Sequence, residues 1–266
     1  MYYNVFSYNF YNLLFYFIVY SFLGWCLETI YATIKNKNFI NRGFLFGPFC
    51  PMYGFGALSI IIFLKPFRNS ILFLFIFSII LTSILEYLTG YILEKFFHTV
   101  WWDYSDNFLN IKGRICLSFS LLWGILSVFF IYEIHPFFIN LTNFIHKKYI
   151  LILLNTFLLY FIIDFSMTLI HLSKLSSLIE QLSELSLEFK YRIENIKDNS
   201  LEKQKHIESI YKEIKSRYEF IFNKTYKKYS RFFKAFPGVL VYKAEIIKSE
   251  IKNKLLKSIK KNNLGE

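Results

Sequence analysis

Glu86 and Glu94 are the residues whose type and spacing most plainly could do chemistry. Both lie inside ILFLFIFSIILTSILEYLTGYILEKFF, the run Ile71–Phe97. A run of this length and apolarity can cross a bilayer, which takes about 20 residues. Gly90 stands midway between the acids, and spacings of four and eight place all three near one helical face. The carboxylates would then sit about 12 Å apart along that face. An ionised carboxylate at membrane depth costs about 3 kcal/mol on insertion scales and far more in simulations. Two on one stripe must therefore face protein or water, and Gly90 would let another backbone come close. Buried carboxylates with separated pKa values can perform acid/base chemistry. The same pair can carry protons or cations, and spacing does not choose between these roles.

Other charges fall at similar depth. Glu28 lies near the end of the first apolar segment, on a stripe with Ser21, Gly24 and Ala32. Such small and polar positions form helix-packing seams. Glu28 either snorkels to the interface or faces the same interior as Glu86. Arg42, Asp103 and Arg114 sit in connecting segments, and Asp164 lies within the last apolar run. The candidate substrate or ion site thus comprises Glu28, Arg42, Glu86, Glu94, Asp103, Arg114 and Asp164. A structural ion-pair network explains the same charges equally well, because opposite charges at close range relieve the cost of burial.

The elements that must position these residues are five apolar segments. The first covers residues 10–34. The second is irregular. Gly43, Gly47, Pro48, Pro51, Gly54 and Gly56 fall within fourteen residues, too many breakers for one regular helix. A re-entrant or irregular entry followed by a short span from about Pro51 is the expectation. Non-helical backbone at membrane depth is tolerated inside protein or along a wet cavity, and transporters place substrate sites at broken spans. Ile71–Phe97 is the third span, residues 115–134 the fourth and 150–172 the fifth. Between the third and fourth, Trp101, Trp102 and Tyr104 read as interfacial anchors. With the N-terminus outside, the inner connections carry Lys35, Lys37, Arg42, Lys95, Lys112 and Arg114, against Lys65, Arg68, Lys147 and Lys148 outside. That bias predicts N-out, C-in.

Composition agrees with a membrane domain followed by a different kind of segment. The chain has 266 residues, 55% hydrophobic and 21% aromatic, too apolar for an ordinary soluble domain. Residues 1–172 hold 10 Lys/Arg and 7 Asp/Glu; residues 173–266 hold 21 and 12. A basic tail behind a membrane domain fits a cytoplasmic position beside anionic lipid. Nucleic acid is not an expected partner, since the tail carries no recognition motif. Leu175, Leu178, Leu182, Leu185, Phe189, Ile193 and Ile196 recur at threes and fours, as do Ile207, Ile210, Ile214, Tyr218 and Ile221. With KDNS at 197–200 as a turn, the two helices can pack as an antiparallel coiled-coil hairpin. Beyond Pro237-Gly238, residues 239–261 read as a basic amphipathic helix that lies on a membrane surface or packs on the hairpin. Residues 1–172 and 173–266 are thus the expected domains.

Several activities find no motif. GxxxxGK[ST], HExxH and GxSxG do not occur, which leaves no phosphate loop, zincin site or nucleophile elbow of those kinds. No metal site and no cofactor are expected, and no catalytic residue is assigned. Cys26, Cys50 and Cys116 form no CxxC pair and read as inert buried thiols. The N-terminal residues lack a basic n-region and a small-residue cleavage site, so a removable signal peptide is not expected.

Five segments carry a resemblance: YSFLGWCLETIY (20–31), FINRGFLFGPFCPMYGFGA (39–57), LEYLTGYILEKFF (85–97), WWDYS (101–105) and NIKGRICLSFSLLWG (110–124). In order and spacing they resemble the CmpB-like family of bacterial membrane proteins, the ABC-transporter type IV permeases, over residues 13–164. The resemblance implies a multi-span bacterial cell-membrane protein, a permease or the membrane subunit of a transport complex. Its ATPase would be a separate chain. Glu28, Arg42, Gly43, Pro48, Glu86, Gly90, Glu94, Asp103, Arg114 and Trp123 match the family's polar motifs, without a role attached.

The expected molecule is all-α: a polytopic bundle of five spans with a cytoplasmic helical coiled-coil tail, in contact with the lipid bilayer and able to self-associate through that tail. Transport with an intramembrane acidic site balanced by arginines is the expected function. One alternative is a membrane-embedded enzyme acting on lipid-linked or headgroup substrates, with Glu86 or Glu94 as base and Arg114 as anion clamp. Another is a scaffold or sensor recruiting partners through the tail.

Overall fold

The computed structural model describes residues 9–97, 100–144, 147–195, 201–235 and 249. Among them every regular element is helical, apart from one isolated bridge between Ile111 and Ile115. The order is α1 (Phe10–Asn36), α2 (Pro51–Phe63), a short 3-10 turn (Lys65–Phe67), α3 (Ile71–Phe97), α4 (Leu117–Phe129), a π-helical turn (Phe130–Ile134), α5 (His135–Phe144), α6 (Lys147–Glu194), α7 (Leu201–Lys228) and α8 (Ser230–Ala235). The described residues fall into two compact units. One holds those up to Phe96 with Val100–Ile170; the other holds Phe97 and those from His171 onward.

Four helical stretches among the described residues are long and apolar enough to cross a membrane: Phe10–Asn36, Ile71–Phe97, Leu117–Thr142 and Leu151–Ile193. The fourth expected span therefore continues through the π-helical turn into α5. α2 has 13 residues, fewer than a regular crossing needs.

What α2 lacks in length, the chain before it supplies in irregular backbone. α1 ends at Lys37, whose φ of 55° is a left-handed helix stop. The chain then runs back antiparallel along α1. Ile40 N–H donates to Thr33 Oγ1 and Arg42 N–H to Thr29 Oγ1, each at 3.4 Å. The Trp25 indole N–H donates to Asn41 Oδ1 at 2.8 Å, and Cys50 N–H donates to the Ser21 carbonyl at 2.9 Å. Pro51, at the first helical position where its missing N–H costs nothing, then opens α2. A Cβ on Gly54 would meet the Phe17 carbonyl oxygen at 2.7 Å, and one on Gly24 would overlap the Tyr53 ring. These two glycines permit the close α1–α2 contact. Leu45 and Phe49 from the irregular stretch are buried with Tyr16, Tyr20, Ile61 and Leu154 in one core.

α3 turns its polar stripe away from its exposed aliphatic one. Leu72, Ile76, Ile80, Ile84, Leu88 and Ile92 recur every four residues, and all are exposed. Ser78, Thr82, Glu86, Gly90 and Glu94 recur at the same interval, two residues out of step. Two residues turn a helix by about 200°, so the polar stripe lies opposite the aliphatic one. α4 packs beside it. Ser83 donates to Ser120 at 2.8 Å, and a Cβ on Gly124 would meet Ile79 and Phe75.

In the second unit, α6 and α7 run antiparallel through Leu182, Leu185 and Phe189 against Ile210, Ile214 and Tyr218. Arg192 pairs with Glu213 at 3.0 Å and Arg217 with Glu188 at 3.0 Å. α8 adds Phe232 and Phe233 to the buried set. The expected turn at 197–200 and the basic helix at 239–261 lie outside the described residues. None of the three cysteines is in a disulfide; Cys50 and Cys116 are buried and Cys26 partly so.

Candidate functional site

The polar stripe of α3 does not form one site. Its two glutamates have different partners. Glu94 meets Arg114, whose Nε and Nη2 donate to Oε2 at 3.1 and 2.5 Å. Arg114 also donates to the Tyr87 hydroxyl at 3.2 Å, and its guanidinium lies over the rings of Tyr87 and Tyr91. The loop holding Arg114 is shaped by three left-handed residues, Leu109, Lys112 and Gly113. Trp102 Nε1 donates to the Arg114 carbonyl at 2.8 Å. What approaches Gly90 is not a backbone but the side chains of Trp102 and Arg114, at 3.3 and 3.4 Å from a Cβ placed there.

Glu86, two turns earlier, accepts from the Tyr104 hydroxyl at 3.1 Å. Burial, and the Glu86 carboxylate beside it, push the Tyr104 hydroxyl above its ordinary pKa, so it stays a proton donor. The Trp123 indole adjoins the same carboxylate. Glu86 Oε2 is buried without a hydrogen bond of standard geometry.

Glu28 and Arg42 form a second centre. Their ion pair is 3.1 Å long, with both side chains 28% exposed. The Tyr53 hydroxyl donates to Glu28 Oε1 at 2.7 Å. Tyr53 in turn meets Trp123 edge to face, ring centroids 6.0 Å apart. A continuous path of side chains thus runs Arg42, Glu28, Tyr53, Trp123, Glu86, Tyr104. Along its middle lies a cavity of about 350 Å³ between α1, α2, α3 and α4, lined by Tyr53, Glu86 and Trp123 among mostly apolar side chains.

Asp164 and Asp103 belong to neither centre. Asp164, 5% exposed, accepts from the backbone N–H of Phe46 at 3.0 Å and of Gly47 at 2.8 Å. Tyr160 and Thr168 hydroxyls approach it at 3.5 and 3.4 Å. Its carboxylate satisfies donors that the irregular segment exposes at depth, where an unmet N–H costs several kcal/mol. Asp103 folds its own loop, accepting from Ser105 N–H at 2.9 Å and from the Ser105 hydroxyl.

The structure therefore joins Glu28 with Arg42 and Glu94 with Arg114. It gives Glu86 an ion pair with neither arginine, and both aspartates accept from backbone N–H groups of connecting segments. Tyr53, Tyr104 and Trp123 are site residues outside the expected set: Tyr104 reads from the sequence as an anchor, Trp123 as a motif match without a role, and Tyr53 carries no signal of its own. Trp102 and Tyr104 point inward, and Trp101 packs on Phe44 at 5.5 Å, so this aromatic cluster folds onto the bundle instead of standing as a free anchor. Among the described residues no group of three metal-ligating side chains occurs.

Spanning-length apolar helices around a cavity that carries an acid define the class: an all-helical, multi-pass membrane protein. The chain belongs to the family described as "Putative ABC-transporter type IV", which matches residues 15–169. Membership ties it to membrane transport. The match ends within α6, so α7 and α8 lie outside it. No curated protein and no solved structure matches the chain.

Proposed function

We propose that this chain is a permease or the membrane subunit of a transport assembly, and that the α1–α4 cavity is its substrate compartment. The observation that carries this reading is the 350 Å³ cavity with Glu86 in its wall. Small-molecule sites are concave, mostly apolar and set with few polar groups, and ionisable residues at membrane depth mark substrate or ion pathways. Arg42 and Arg114 balance Glu28 and Glu94 rather than Glu86, which leaves Glu86 as the acid that faces a passenger. The energy source is a separate ATPase subunit, since no nucleotide-binding loop lies in this sequence.

The topology we propose has five crossings. The segment from Ile40 to α2 accompanies α1 from the level of Thr33 to that of Phe17, half as irregular backbone and half as helix. An odd number of crossings puts α1's start outside and the basic tail inside, following the loop lysines and arginines. The α6–α7 pair then serves as a cytoplasmic coiled coil through which copies or partners associate. An enzyme is not what we propose, because the guanidinium that would clamp an anion is taken up by Glu94.

Thiol accessibility tests the compartment. In a chain freed of its native cysteines, Thr82→Cys and Leu126→Cys, both in the cavity wall, should react with a small water-soluble thiol reagent in membranes. Ile84→Cys, on the exposed aliphatic stripe, should not. Equal protection at all three positions would remove the compartment and the transport reading with it.

A further inference from the structure

The acids of the first unit are provided for unequally. Glu28 has Arg42 at 3.1 Å, Glu94 has Arg114, and Asp164 has two backbone N–H groups. Glu86 has a tyrosine hydroxyl on one oxygen, the Trp123 indole beside the carboxylate, and no cation. Among the described residues no lysine or arginine pairs with it. A carboxyl enclosed by apolar groups either keeps its proton or takes a positive charge within reach, and a cationic ligand selects the second.

The rest of the cavity says what kind of positive charge. Its wall includes Tyr20, Tyr53, Trp123 and Phe130, with aliphatic side chains between them. Aromatic faces attract cations, most strongly where water is excluded. Apolar walls favour a ligand with an apolar body over a hydrated metal ion. A Cβ on Gly56, also in the wall, would meet nothing within 4 Å, so that side is open. The volume sits at the low end of small-molecule sites, about 300–1,000 Å³, which suits a compact amine and not a whole phospholipid.

We infer that the α1–α4 cavity binds an organic monocation with an apolar body, a protonated amine or quaternary ammonium, with Glu86 as its counter-charge and Tyr53 and Trp123 as its aromatic walls. This rests on the compartment proposed above and specifies the occupant's chemistry.

Three probes of one shape test it: 4-phenylbutylammonium, the neutral 4-phenylbutanol and the anionic 4-phenylbutyrate. Each is titrated calorimetrically into the full chain in detergent micelles, against empty micelles. The ammonium should bind saturably, at least tenfold tighter than the alcohol, and the carboxylate not at all. Glu86→Gln should weaken the ammonium at least tenfold while leaving the alcohol unchanged. Glu94→Gln, whose acid is already engaged, should alter neither. Trp123→Leu supplies the second variant should Glu86→Gln fail to fold, and should weaken the ammonium several-fold more than the alcohol. Equal binding of ammonium and alcohol would overturn the inference. So would no saturable ammonium binding, or an unchanged ammonium affinity in Glu86→Gln. Those results with Thr82→Cys and Leu126→Cys still labelled would leave the transport compartment standing with a different occupant. Protection of those cysteines would remove both.

Discussion

Asp164 and Glu86 are both carboxylates within helices of spanning length, yet they occupy opposite kinds of surroundings. Asp164 is 5% exposed and takes two backbone N–H groups from Phe46 and Gly47. Glu86 borders a cavity and takes one hydroxyl. The first is a fastener: its charge is spent on donors that a non-helical segment cannot satisfy for itself. The second has no lysine or arginine paired with it among the described residues, and on that the proposed occupant rests. An acid in a span is thus no signature of function until its donors have been counted.

Substitutions should separate the two. Asp164→Leu is expected to have the largest effect, a loss of about 2–6 kcal/mol, because two buried N–H groups lose their acceptor at about 1–3 kcal/mol each. Reversible unfolding in a fixed detergent measures it. A cost no larger than that of Glu86→Gln would erase the contrast.

Next comes the α1–α2 seam. Gly54→Ala drives a Cβ against Ser21, Phe17 and the Phe17 carbonyl, an overpacking worth about 1–3 kcal/mol. Gly56→Ala, two residues on, meets open space and should be neutral or slightly stabilising. The same unfolding assay compares them; equal costs would mean that α1 and α2 are not pressed together at Gly54.

Glu94 stands between the extremes. Its side chain is 44% exposed and that of Arg114 is 14% exposed. Exposed pairs contribute about 0.2–1 kcal/mol, so a double-mutant cycle of Glu94→Gln with Arg114→Gln should return a coupling in that range. Glu86→Gln should change stability by less than about 1 kcal/mol, because the amide still accepts from Tyr104 and the change removes a charge that no lysine or arginine among the described residues pairs. A larger loss would make Glu86 a second fastener.

The smallest effect lies in the second unit. Hydrogen bonding from Arg192 holds the Glu213 carboxyl below the usual carboxylate range. The folded state therefore binds this proton less readily than the unfolded chain. The pair's contribution is complete above the unfolded value and fades as pH falls through the folded one. Acid titration of helicity in the full chain should show a slightly shallower acid limb for Glu213→Gln than for the natural sequence.

Much of the helical framework was legible in the sequence, because long apolar runs have few other solutions. Ile71–Phe97 emerges as one helix, and the glycines and prolines between Gly43 and Gly56 announce the irregular segment. Pairings were less legible. Glu86 and Glu94 share a stripe, and spacing cannot tell that a loop brings Arg114 to one and Tyr104 to the other. The acceptor role of Asp164 was hidden because its donors are backbone N–H groups, which carry no residue-type signature. Tyr104, Trp101 and Trp102 looked like anchors since aromatic residues at span ends usually are. A polar stripe from Ser78 to Glu94, set against leucines and isoleucines in the alternate register, was the available signal that would have drawn attention to their side of α3.

The stretch from Gly43 to Cys50 has consequences beyond topology. With no helical ladder of its own, it takes its position from attachment points on α1 and α6: Trp25 through Asn41, Ser21 through Cys50, and Asp164 through Phe46 and Gly47. Tyr53, three residues past the last of these tethers, lies in the cavity wall. The strap thus ties two helices and one side chain of the cavity wall together through hydrogen bonds to side chains and carbonyls it does not itself own.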